Sequence, residues 1–113
     1  MTSLLDEYRR HAVDQGAFMT EGDGDASNAS YDRLQDAFVS LAREGKRRQL
    51  FNLYDDDDPW VQSWAAAHTL EIDEARALTK LEQLVNLGIP LVSSCAKHAI
   101  EEWKSGELRF LPS

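Results

Sequence analysis

Four consecutive carboxylates, Asp55-Asp56-Asp57-Asp58, form the densest set of chemically active side chains in the sequence. A calcium loop needs acidic residues at alternate positions, a central glycine and a later bidentate glutamate. Pro59 and Trp60 interrupt that pattern at once, so the run predicts no metal site. A carboxylate just before a proline suits a helix start instead, because it accepts from unpaired N–H groups and meets the positive end of the helix dipole. Asp58 alone is enough for that. The other three gain little locally and repel one another, which leaves them available to a basic partner. Trp60, Trp64 and His68 follow at i, i+4 and i+8, on one helix face, a pattern typical of core. A tryptophan left outside the core would anchor a partner. The candidate partner-binding residues are therefore Asp55, Asp56, Asp57, Asp58 and Trp60.

The remaining reactive residues point to no catalytic centre. His11, His68 and His98 are scattered, with no His-Glu-x-x-His or paired-cysteine spacing, so no zinc site is expected. Cys95 shares an apolar stripe with Val92, Ala96 and Ala99, where a thiol acts as a small hydrophobe. His98 is its only local base, and no third group is apparent to orient it. Lys46, Arg47 and Arg48, with Arg43 one turn earlier, complement the negative end of a helix dipole. Gly22 and Gly24 lack the Lys and Ser/Thr that follow in a phosphate loop. We expect neither a catalytic residue nor a cofactor.

The chain has 113 residues, 12 basic against 20 acidic, a net charge of −8. Binding nucleic acid requires neutralising phosphates with Lys and Arg, so that class is disfavoured, as are anionic membranes. Cys95 is the only cysteine, which suits a reducing compartment. Asp6 and Glu7 stand where a signal peptide needs basic and then apolar residues. The sequence also offers no apolar run of about 18 residues. A cytoplasmic location is expected.

These groups must be carried by helices, because no segment alternates as a half-buried strand does. Helical spacing predicts a first helix from Ser3 to Glu21, ended by Gly22 to Gly24. The run Gly22 to Asn28 reads as a turn. A second helix begins at Ala26 or Ser30, carries Tyr31, Leu34, Phe38 and Leu41, and ends at Glu44. A short third helix spans Lys46 to Leu53 and stops before the acidic run. Asp58 and Pro59 open a fourth that ends near Leu70. Asp73 caps a fifth that ends at Gly88, and Pro90 opens a sixth with Gly106 beyond it. Trp64 and Trp103 are expected in the core, with Ala65, Ala96 and Ala99 at helix contacts.

Placing Leu50–Ile72 over Leu81–Trp103 gives seven identities in 23 positions, among them Leu53/Leu84, Pro59/Pro90, Val61/Val92 and Ala65/Ala96. Chance would give about one or two, so the pattern reads as two related helix hairpins. Such hairpins must stack on neighbours to bury their apolar faces. The expected fold is all-α: five to six helices in stacked antiparallel hairpins, a short HEAT/armadillo-like α-solenoid. The expected organisation is one helical-repeat domain over 1–113, with cap helices at 3–44 and hairpin repeats at 46–72 and 73–106.

The stretch Asp57-Asp58-Pro59-Trp60-Val61-Gln62-Ser63-Trp64-Ala65-Ala66-Ala67-His68 resembles the signature hairpin of a small bacterial HEAT-like family, domain of unknown function 2019. The segment from Ala99 to Leu108 resembles the same family. The resemblance spans Leu4 to Leu108 and implies a helical-repeat fold without an assigned activity. Many family members carry Arg where this chain has Gln62.

Together these features predict a non-catalytic protein-binding module with an acidic surface, in its specific form an immunity or antitoxin-like protein that neutralises a basic toxin. One alternative is a small-ligand or metal-binding protein or enzyme using Asp55–Asp58 with His68. Another is a structural homo-oligomer, signalled by an exposed apolar patch on the first two helices.

Overall fold

The computed structural model describes residues 3–108. Among these there are six helices and no strand: α1 (Leu4–Glu21), α2 (Gly24–Arg43), a 3-10 helix η1 (Arg47–Asp55), α3 (Pro59–His68), α4 (Glu74–Asn86) and α5 (Val92–Ser105). No helix is long and apolar enough to cross a membrane. The chain forms two compact units, one through Gln49 and one from Leu50 onward.

In the first unit, α1 and α2 make a hairpin. The Ser3 hydroxyl accepts from the Asp6 N–H at 3.1 Å and Asp6 answers with its carboxylate, so both ends of a capping box are in place. Gly22 ends α1 at φ 79°, a left-handed conformation that glycine adopts without steric cost. The turn is much shorter than the expected Gly22 to Asn28. Asp23 accepts from the Ala26 N–H at 3.1 Å and starts α2 at Gly24, so the polar residues that follow are helical. Tyr8 and Ala12 on α1, and Leu34, Phe38 and Leu41 on α2, are almost wholly buried. Gln15 and Ser27 lie buried among them and satisfy one another at 3.1 Å.

In the second unit, α3 packs against α4 and α5, and α4 against α5. The buried residues Leu50, Leu53, Val61, Ala65, Leu81, Leu84, Val92 and Ala96 are all members of the internal repeat. Each fully buried leucine contributes about 1.5–3 kcal/mol by leaving water. The third helix is 3-10 and takes in Asp55, one residue into the acidic run. Asp73 caps α4 through the Arg76 N–H at 3.2 Å, and Gly106 closes α5 at φ 80°.

Three expectations need correction. Pro90 does not open α5, which begins two residues later at Val92. The Val92 N–H bonds the Pro90 carbonyl at 2.8 Å, closing a γ-turn around Leu91 at φ 66° that a helical start at Pro90 would exclude. Trp64 and Trp103, expected in the core, are only half-buried, because the faces they share with buried neighbours are incompletely covered. The large apolar side chains exposed among the described residues, Leu87 and Leu91, lie at the α4–α5 turn and not on α1 or α2.

Candidate functional site

The four aspartates occupy the connection between η1 and α3, and they divide into two pairs. Asp58 accepts from the Trp60 N–H at 2.8 Å, the N-cap expected before Pro59. Asp56 is engaged as well: its carboxylate accepts from the Asp58 N–H at 2.9 Å, folding the connection back on itself. The Gln62 amide then donates to the Asp56 carbonyl at 2.5 Å and ties the loop to the first turn of α3. Two carboxylates, not one, therefore serve the helix start, and both are half-buried. Asp55 and Asp57 alternate with them and are exposed. A chain that turns within two residues of each capping carboxylate directs the intervening ones outward.

Trp60 is half-buried in the first turn of α3, beside the loop. Along the same face Trp64 stacks on His68, with ring centroids 5.7 Å apart, and His68 is buried. Burial lowers the His68 pKa from 6.5 to about 3, so the imidazole is neutral at physiological pH. His68 is thus buried where Asp55 and Asp57 are exposed.

The other reactive residues are accounted for locally. Burial pushes the Cys95 thiol up, away from thiolate chemistry. His98, one turn on, is exposed and pairs with Glu102. Lys46 pairs with Glu44 at 3.2 Å. Among the described residues no group of three or more His, Cys, Asp and Glu side chains is placed to hold a metal ion.

Beside Asp55 the structure opens a cleft that the sequence did not suggest, of about 460 Å³, between η1 and α4. Phe51, Tyr54 and Asp55 line one wall; Arg76, Lys80 and Gln83 line the other. The Arg76 guanidinium lies over the Phe51 ring, 4.2 Å from its centroid, and 5.5 Å from that of Tyr54. The two rings meet edge to face at 5.4 Å. The Tyr54 hydroxyl bonds Thr69 at 2.5 Å, and Thr69 in turn donates to backbone carbonyls at the end of α3. Burial raises the Tyr54 pKa, while the Thr69 bond and Arg76 draw it back, so the phenol keeps its proton. The only sequence signal for this wall is the i, i+4 spacing of Arg76 and Lys80.

A scan against protein families, a search of curated proteins and a search of solved structures each found no match to this chain.

Proposed function

We propose that this chain is a non-catalytic protein-binding module: a short HEAT-like helical repeat, akin to domain of unknown function 2019, whose acidic loop meets a basic protein. The observation that carries the reading is the division of labour among the four aspartates. Asp56 and Asp58 suffice to build the loop and start α3. Asp55 and Asp57 contribute no such bond and add mutual repulsion in a chain already at −8. Charges that cost self-repulsion and stand at a rim steer an oppositely charged partner and raise its association rate. Trp60, half-buried beside them, supplies the kind of large amphipathic surface on which interface energy concentrates. In its specific form the partner is a basic toxin, a nuclease among the candidates, which the chain blocks by presenting carboxylates in place of phosphates.

The test is co-purification from the native host, then stopped-flow association with the recovered partner. The expected partner is basic, loses its activity in the complex, and associates more slowly as salt rises. Asp55→Asn with Asp57→Asn should slow association several-fold and flatten that salt dependence, without altering helicity. A partner whose association ignores both salt and these substitutions would overturn the reading.

A further inference from the structure

The cleft between η1 and α4 has a charge pattern unlike the rest of this acidic chain. Arg76 and Lys80 stand one turn apart on α4, and among the described residues neither has an ion-pair partner. Asp55 is the single carboxylate in the lining, so the cleft carries a net charge of +1 while the chain carries −8.

Arg76 is also held in place. An exposed arginine ordinarily samples many rotamers and loses that freedom when it binds. Here its guanidinium carbon lies over the Phe51 ring, and Tyr54 beside it is fixed by the hydroxyl bond to buried Thr69. A guanidinium placed over an aromatic ring can still offer N–H groups to a carboxylate in two parallel hydrogen bonds. Lys80 adds a second, more mobile donor on the same side.

We propose that this cleft binds a carboxylate with a nitrogen donor beside it, the pattern shared by a free amino acid and the C-terminal residue of a peptide. Arg76 and Lys80 take the carboxylate, Asp55 accepts from the adjacent N–H, and the apolar parts of Phe51 and Ala75 face the side chain. A dianionic phosphate is matched less well, since one net positive charge does not offset it and Asp55 opposes it. A volume of about 460 Å³ falls within the range of small-ligand sites and accommodates a large side chain. This inference does not rest on the acidic-loop reading: Asp55 belongs to both, but Arg76 serves only the cleft and Asp57 only the loop, so Arg76→Gln and Asp57→Asn let each fail alone.

The experiment is a ¹H–¹⁵N NMR titration of the full chain, following the Thr79, Lys80 and Gln83 amides and the Arg76 Nε–H group. The probes are L-phenylalanine, acetyl-Gly-Phe, acetyl-Gly-Phe-amide and inorganic phosphate. At least one of the two free carboxylates should shift these signals saturably, while the blocked amide and phosphate bind at least tenfold more weakly. Stronger binding by acetyl-Gly-Phe identifies a chain end as the source; stronger binding by L-phenylalanine identifies a free amino acid. Arg76→Gln should weaken binding at least tenfold, and Arg76→Lys should recover only part of it, because the charge returns without the planar fork. Arg76 is exposed, so both variants should keep the parent spectrum elsewhere. No shift with either carboxylate, equal binding of the blocked amide or phosphate, or indifference to Arg76→Gln would overturn the proposal.

Discussion

Pro59 and Pro90 occupy matching places in the internal repeat, and the helices that follow them start by different means. Before α3, Asp58 caps the Trp60 N–H and Pro59 sits inside the first turn. Before α5, no side chain caps the helix; Leu91 takes a left-handed φ of 66°, and the first turn begins only at Val92. The third position after each proline is also used differently. Gln62 reaches back to the Asp56 carbonyl, whereas the aligned Ser93 accepts from the Ile89 N–H at 2.8 Å and donates to the Leu84 carbonyl at 2.6 Å. Burial differs too. Val61/Val92 and Ala65/Ala96 are buried in both copies, but Ala66 and Ala67 are buried where Lys97 and His98 are exposed. The repeat thus preserves the side chains that hold one helix to another. It leaves free the helix starts and the faces that distinguish a helix enclosed on all sides from one covered on a single side.

Exchanging residues between the copies should break this comparison most sharply. Ala66 is fully buried, so Ala66→Lys places an uncompensated charge in the core and should cost at least about 3 kcal/mol. The reverse exchange on α5, Lys97→Ala, alters a solvated position and should stay within about 0.5 kcal/mol. Urea denaturation of both variants measures the difference, and equal effects would mean that the two helices are equally enclosed.

The next effect distinguishes buried His68 from its aligned counterpart, Ala99, which has nothing to titrate. The folded-state pKa of His68 is depressed to about 3 from 6.5. The unfolded chain therefore binds the proton more tightly, and the contribution to stability is present above pH 6.5 and is lost as pH falls toward 3. Between pH 7 and pH 5 the loss should be about 2 kcal/mol, before most carboxylates titrate. His68→Leu should remove that part of the slope. An unchanged slope would mean that His68 accepts a proton in the folded chain.

What the sequence made legible, and what it did not, follows the range of the interactions involved. Asp58 with Pro59, Asp73, and Gly106 were readable because a cap involves residues within one turn of each other. Asp56 was missed although an aspartate facing an N–H two residues on is a recognised local turn, so a signal did exist. Trp64 was placed on the correct face, yet periodicity says which face is apolar and not how completely it is covered. The cleft was out of reach because Arg76 meets Phe51 and Tyr54 only once η1 and α4 have packed. The late start of α5 is not legible either, because no propensity assigns Leu91 a positive φ.

The cap that starts α3 sets the next smaller effect. Asp58→Ala should cost about 1 kcal/mol, because it leaves the Trp60 N–H without its acceptor. Asp57→Asn, one residue earlier, should leave stability unchanged or slightly raised, since its exposed carboxylate makes no capping bond and repels its neighbours. Thermal melts resolve the two, and equal losses would show that the whole run acts as the cap.

The smallest effect should have the opposite sign and lies at the uncapped start. Leu91 is 42% exposed and sits at φ 66° in the γ-turn closed by Val92 and Pro90, a conformation that crowds the Cβ of any L-residue. Such a residue stores about 1–3 kcal/mol of strain. Glycine relieves it but adds backbone freedom to the unfolded chain, which costs about 0.5–1 kcal/mol. Leu91→Gly should therefore stabilise the fold by about 0.5–1 kcal/mol. Leu91→Ala keeps the crowded Cβ and loses the partial burial, so it should be neutral or slightly destabilising. The ordering of Gly above Ala isolates the backbone from the side chain. The aligned position in the other copy, Trp60, is helical, and there the preference should reverse, with Trp60→Gly less stable than Trp60→Ala by about 1 kcal/mol. Alanine outranking glycine at both positions would mean that α5 starts without strain, and the contrast between the two helix starts would reduce to the Asp58 cap alone.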